Sequence, residues 1–197
     1  MRTIKLTIAY DGTEFVGWQR QDTGPSIQGC LEEALSRIEG RTVTLHGAGR
    51  TDAGVHALGQ EASARLHTPL ADAALARALN AHLPETIRVV HLATVPDDFH
   101  ARFSARGKTY EYRIWNGPVL PPFLRLYAWH RSFPLDVALM QRAADATIGA
   151  HDFAAFRSAL RLTVAWSSAS ICVAITVARG KASARSSVCV SSITMSV

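Results

Sequence analysis

Thr3-Ile4-Lys5-Leu6-Thr7-Ile8-Ala9-Tyr10 alternates apolar and polar side chains with period two, the pattern of a half-buried strand, and stops at the turn pair Asp11-Gly12. Working outward, Ser26 stands as an N-cap before Ile27, Leu31, Leu35 and Ile38 at helical spacing, and Gly40 follows as a stop. Thr42 to His46 reads as a strand entering the glycine-rich turn Gly47-Ala48-Gly49, and the stretch from Val55 to Leu66 reads as extended. Residues 70–83 form an alanine- and leucine-rich helix closed by Pro84, and Ile87 to Ala93 is a further strand. The order strand–helix–strand–strand–helix–strand is the split βαβ, or ferredoxin-like, pattern: a sheet backed by two helices.

A second unit begins after the linker Phe99–Lys108. Tyr110, Tyr112 and Ile114 alternate with Glu111, Arg113 and Trp115 until Asn116-Gly117-Pro118 breaks the strand. A helix is expected from Pro134 to Ile148, with Val137, Met140, Ala144 and Ile148 on one face. The expected organisation is a first domain over 1–98, the start of a second over 99–158, and an atypical tail over 159–197. The tail reads as a serine-rich final hairpin or a disordered end, for residues 158–197 hold 10 serines and no acidic residue.

With 48% apolar and 19% charged residues in 197, the chain can bury a sizeable core. It has no apolar run near the roughly 20 residues of a membrane span, and its start lacks a signal peptide's apolar stretch. A cytoplasmic protein is expected. Three cysteines, Cys30, Cys172 and Cys189, give neither a disulfide framework nor a zinc spacing. The net charge of +5 is weak evidence for a nucleic-acid partner, because the last 40 residues supply +4 of it and the first 157 only +1.

The densest chemistry lies in Gly47-Ala48-Gly49-Arg50-Thr51-Asp52-Ala53-Gly54-Val55-His56-Ala57. Its glycines permit a tight turn and close approach of a large ligand. Arg50 supplies a permanent cation, and an ionised Asp52 on a rigid loop can be a nucleophile or base toward a sugar or nucleobase. The plainer reading has Asp52 closing an Asx-turn and Arg50 as a surface partner. In Phe99-His100-Ala101-Arg102-Phe103-Ser104-Ala105 aromatics flank basic residues, which suits base stacking and phosphate contact. Tyr110 either stacks on a ring or handles a proton, or else sits in a core row with Tyr112 and Ile114. Tyr10, Phe15 and Trp18 are expected to pack rather than to line a cleft. The eight histidines are scattered without a helical His-x-x-x-His pair, so no metal site is expected, and His56 reads as a hydrogen-bonder.

Taken together these segments resemble the TruA family of tRNA pseudouridine synthases. The resemblance rests on Tyr10-Asp11-Gly12-Thr13-Glu14-Phe15-Val16-Gly17-Trp18-Gln19-Arg20-Gln21, Ser26-Ile27-Gln28-Gly29, Gly49-Arg50-Thr51-Asp52-Ala53-Gly54-Val55-His56-Ala57, Phe99–Ala105, Tyr110-Glu111-Tyr112 and His151-Asp152-Phe153-Ala154-Ala155-Phe156, over residues 3–158. It implies an α+β fold of two ferredoxin-like (split βαβ) halves sharing an antiparallel sheet backed by helices, with the second half incomplete or aberrant here. It implies a cofactor-free, metal-free isomerase that converts uridine to pseudouridine in the anticodon stem-loop of tRNA (positions 38–40), acting as a homodimer. By the same resemblance Asp52 is the catalytic aspartate, attacking sugar or base. Tyr110 stacks on the target base beside the C5 proton step, and Arg50 helps displace that base from the stem. Arg102 is expected to bind substrate alongside them. The alternative is a truncated, non-catalytic RNA-binding relative.

After Ser158 the chain departs from the family, whose second half carries an Asn-x-Phe-Leu-x-x-Met-Val-Arg-like helix and a basic partner for the aspartate. Written with the codons TGC-GTT-TCC-TCC-ATC-ACA-ATG-TCC-GTN, the last nine residues read two bases along as Arg-Phe-Leu-His-His-Asn-Val-Arg, close to that motif. A shift of reading frame near residue 159 is therefore expected.

Overall fold

The computed structural model describes residues 1–151, 170–179 and 185–195. Asp152–Phe156 of the resemblance, and residue 159 with its expected frame shift, lie outside the described residues. The chain divides into two compact units, Met1–Ala105 and Arg106–Val197.

The first unit runs β1 (Arg2–Tyr10), α1 (Ile27–Glu39), β2 (His46–Gly47), β3 (Ala57–Leu66), α2 (Asp72–His82) and β4 (Ile87–Val95). Its sheet has the order β2-β3-β1-β4, and every neighbouring pair is antiparallel. Each helix joins two strands that lie on either side of a third, the split βαβ arrangement expected from the sequence. Alternation along β1 has the anticipated effect. Ile4, Leu6, Ile8 and Tyr10 enter one buried cluster with Ile27, Leu31 and Leu35 of α1 and Leu75 and Leu79 of α2. Burying each such aliphatic side chain contributes about 1.5–3 kcal/mol against the cost of ordering the chain.

The caps of α1 are those read from the sequence. Ser26 Oγ accepts a hydrogen bond from the Gly29 N–H at 3.2 Å, and Gly40 ends the helix in the left-handed region at φ +68°. Residues 42–45 differ from expectation. They are not in a strand, and β2 is confined to His46 and Gly47. Side chains of α1 have captured the amides a neighbouring strand would need: the Val43 N–H donates to Ser36 Oγ at 3.0 Å and the Leu45 N–H to Glu32 Oε1 at 3.0 Å. Val43 and Leu45 are buried nonetheless, so the segment is pinned to the helix rather than to the sheet.

The second unit contains β5 (Gly107–Asn116), a single 3-10 turn (Pro122–Leu124), β6 (Trp129–Arg131), α3 (Val137–Asp145), β7 (Gly149–His151), β8 (Ser170–Arg179) and β9 (Arg185–Met195). Helix α3 starts later than Pro134 because Asp136 caps it, accepting from the Leu139 N–H at 2.9 Å. The strands form a separate sheet in the order β6-β5-β8-β9-β7. Both edges of β5 are thus occupied from within its own unit. This sheet is mixed: β8 and β9 pair as an antiparallel hairpin, while β5 runs parallel to β6 and β8. The class is α+β, with helices and a four-stranded antiparallel sheet in the first unit. Within residues 106–149, Ile114 is the only buried apolar side chain.

Candidate active site

Two loops meet where β1 ends and β3 begins. The strands slip in register between Ile8 and Tyr10, so that Tyr10 faces Ala57, the first residue of β3. Such an irregularity re-aims the chain beside a functional loop. On one side the chain leaves β1 through Asp11, whose Oδ1 accepts from the Thr13 N–H at 3.0 Å and closes an Asx-turn. On the other side residues 48–56 lead into β3.

The segment from Tyr10 to Trp18 grips the second loop at several points. The Trp18 N–H donates to the Thr51 carbonyl at 3.0 Å, and the Gly54 N–H to the Phe15 carbonyl at 3.3 Å. The Tyr10 hydroxyl meets Thr51 Oγ1 at 2.9 Å. The Gly12 N–H donates to His56 Nδ1 at 3.2 Å, and that nitrogen also lies 3.1 Å from Asp11 Oδ1. His56 is a hydrogen-bonder, as the sequence suggested. Gly12 permits the closest approach, for a β-carbon there would lie 2.0 Å from the Val55 carbonyl oxygen. From behind, the Ala48 N–H donates to the Glu61 carbonyl and Gln60 Nε2 to the Gly49 carbonyl, both at 2.8 Å. Tyr10, Phe15 and Trp18 are buried, with the rings of Tyr10 and Trp18 6.1 Å apart, so they pack as expected.

Asp52 and Arg50 project from this clamped loop into solvent. The turn closes through the Asp52 backbone, whose carbonyl accepts from the Val55 N–H at 3.2 Å, with Gly54 at φ +75°. Among the described residues the Asp52 carboxylate has no hydrogen-bond or ion-pair partner, so it does not close an Asx-turn. A fixed backbone carrying an uncommitted carboxylate is what nucleophilic or base chemistry on a large substrate requires.

Arg102 lies in the turn after β4, a different part of the same unit. That turn is tied to β3 by the buried Ala101 N–H, which donates to Ser63 Oγ at 3.0 Å. Arg102 is exposed, with its guanidinium 6.0 Å from the centre of the Phe103 ring, which is itself exposed. His100 sits between His46 (4.8 Å between ring centres) and Phe103 (4.5 Å). Burial, then the neighbouring His46 and Arg102, push the His100 imidazole below its ordinary pKa. Sequence reading treated these two histidines as scattered. What joins them is pairing: His46 faces Ser63 across β2 and β3, and Ser63 holds the residue next to His100. Among the described residues no group of three or more His, Cys, Asp or Glu side chains could hold a metal ion.

Tyr110 belongs to the second unit, on β5. It is 37% exposed and Tyr112 62%, while Ile114 is buried, so the three do not form a common core row. No helix among the described residues is long and apolar enough to cross a membrane.

The profile of a family described as tRNA pseudouridine synthase matches residues 6–104. tRNA pseudouridine synthase A 1 of Desulfotalea psychrophila is 48% identical over 158 residues, 80% of this chain and 63% of that protein. tRNA pseudouridine synthase A of Methylacidiphilum infernorum is 50% identical over 154 residues, 78% of this chain and 60% of the relative. For the Rhodospirillum rubrum protein of the same name the identity is 48% over 160 residues, 81% and 58% of the two chains. The chain therefore spans about three fifths of the length of these curated relatives.

Proposed function

The chain belongs to the tRNA pseudouridine synthase family, and on that premise we propose that it isomerises uridine to pseudouridine in the anticodon stem-loop of tRNA, with Asp52 as the catalytic carboxylate. The observation that carries this reading is the Asp52 loop: its backbone is clamped by residues 10–18, while its carboxylate is exposed and uncommitted. The reaction breaks the bond between N1 of uracil and C1′ of ribose, turns the ring, and joins C5 to C1′. C5 loses a proton and N1 gains one, so the conversion is redox-neutral. Asp52 serves by attacking C1′ of the sugar or the uracil ring, and either course begins from an ionised carboxylate held still.

Reaching that uridine requires it to leave the stem, and Arg50, two residues from Asp52, supplies a fixed positive charge for the displaced strand. Arg102 offers a second guanidinium to phosphate, beside the exposed Phe103 ring. Tyr110 presents a partly exposed phenol for stacking on the target base and for the C5 proton step. The full assembly is read as a homodimer working on tRNA in the cytoplasm.

The test is to incubate the full chain with unmodified tRNA and map carbodiimide adducts by primer extension. New stops in the anticodon stem-loop are expected. Binding of tRNA without any stop identifies a non-catalytic RNA-binding relative and overturns the proposal.

A further inference from the structure

We infer that Tyr10 and Thr51 act as a pair of positioning residues for Asp52, an inference that rests on the reaction proposed above. The Asp52 carboxylate has no partner of its own among the described residues, so its place is set by the backbone on either side. On its N-terminal side that backbone is Thr51, which is held twice. Its carbonyl accepts from the Trp18 N–H at 3.0 Å, and its Oγ1 shares a hydrogen bond of 2.9 Å with the Tyr10 hydroxyl. Tyr10 is well suited to the task. It ends the central strand β1, is 4% exposed, and its ring packs beside that of Trp18, so its hydroxyl sits on the rigid part of the unit. On the C-terminal side Asp52 is followed by Ala53 and by Gly54 at φ +75°, a short turn held by backbone hydrogen bonds of 3.2 and 3.3 Å. The Tyr10–Thr51 bond is therefore the side-chain contact that fixes where the carboxylate begins. Neither hydroxyl needs to touch substrate for the pair to matter, since small displacements of a reacting group reduce rates steeply.

The experiment compares tritium release from tRNA labelled at uridine C5 for the wild-type chain, Tyr10→Phe, Thr51→Val, Thr51→Ser and the double variant Tyr10→Phe/Thr51→Val. Thermal unfolding of each verifies that it folds. Tyr10→Phe and Thr51→Val are expected to lower kcat roughly 10- to 100-fold with KM for tRNA changed less than about twofold. Thr51→Ser, which keeps the hydroxyl, is expected to restore kcat to within about threefold of wild type, and the double variant to be no slower than the worse single one. Wild-type kcat in either hydroxyl-deleting variant, or losses that multiply in the double variant, would overturn the inference. Amide hydrogen exchange is measured on the same proteins. The Trp18 and Gly54 amides are expected to exchange faster in Tyr10→Phe while those of β1 and β3 stay protected, and unchanged loop exchange also overturns the inference. A wild-type chain that releases no tritium refutes the proposed reaction alone, and exchange then decides whether the pair anchors the loop.

Discussion

Gly17 passes so close to Thr51 that a β-carbon on Gly17 would lie 2.6 Å from the Thr51 carbonyl oxygen. Its φ of +116° is also closed to residues with side chains. The atom that would be struck is backbone, so it has no rotamer through which to escape. Gly17→Ala is therefore expected to destabilise the chain by about 3 kcal/mol through strain and collision together. A loss of unfolding free energy in urea smaller than about 1 kcal/mol would contradict the geometry. Because the struck carbonyl is the one that accepts from Trp18, the damage should extend to the Asp52 loop.

A sharp contrast is expected between two leucines. Leu31 lies fully buried on α1 against the sheet, whereas Leu58 on β3 is 78% exposed. Leu31→Ala should cost about 2–5 kcal/mol as transfer energy plus cavity, and Leu58→Ala less than about 0.5 kcal/mol. Equal losses in chemical denaturation would mean that α1 does not pack as described.

Acid should act through Asp72. The Thr94 N–H donates to its carboxylate at 2.7 Å, the Thr94 hydroxyl at 2.8 Å and Arg2 at 3.0 Å. The Thr94 backbone bond above all, opposed by burial and helped by the Thr94 hydroxyl and the Arg2 charge, holds the carboxyl below its ordinary value of 3.8. The folded state thus favours the charged form. The resulting stability is fully present above pH 3.8 and is lost as pH falls from there through the folded value. A carbon-13 titration of Asp72 should show a midpoint below 3.8, and Asp72→Asn should blunt the acid sensitivity of unfolding. A midpoint at or above 3.8 would remove Asp72 as an anchor between β4 and α2.

The same residue shows where sequence reading stops. The first helix was legible because its signals are local: apolar spacing from Ile27 to Ile38, a capping Ser26 and a terminal Gly40. The second begins at Asp72 rather than at residue 70, and no side chain caps it, because its N-cap is Ala71, which carries no acceptor, while Asp72 in its first turn is bound to Thr94 and Arg2, partners distant in the chain. Residues 42–45 were read as strand for a similar reason. Their β-branched alternation is real, but Ser36 and Glu32 take the amides, and only the folded chain brings them there. In the site, the Gly-Arg-Thr-Asp stretch announced itself by its glycines and charges. The partners that clamp it did not: nothing local links the hydroxyl of Tyr10 to Thr51, or His46 to His100. Both links depend on strand order and register.

The measurement that tests the account most directly is tritium release from uridine-C5-labelled tRNA by the wild-type chain and by Asp52→Asn, assayed side by side with tRNA affinity. Asn keeps the size of Asp52 and leaves the clamped backbone intact, but it removes the negative charge. Release by the wild-type chain, with none from Asp52→Asn and tRNA affinity unchanged within about twofold, is the predicted result. Tritium release by Asp52→Asn at the wild-type rate would contradict the central claim and take the catalytic role away from Asp52.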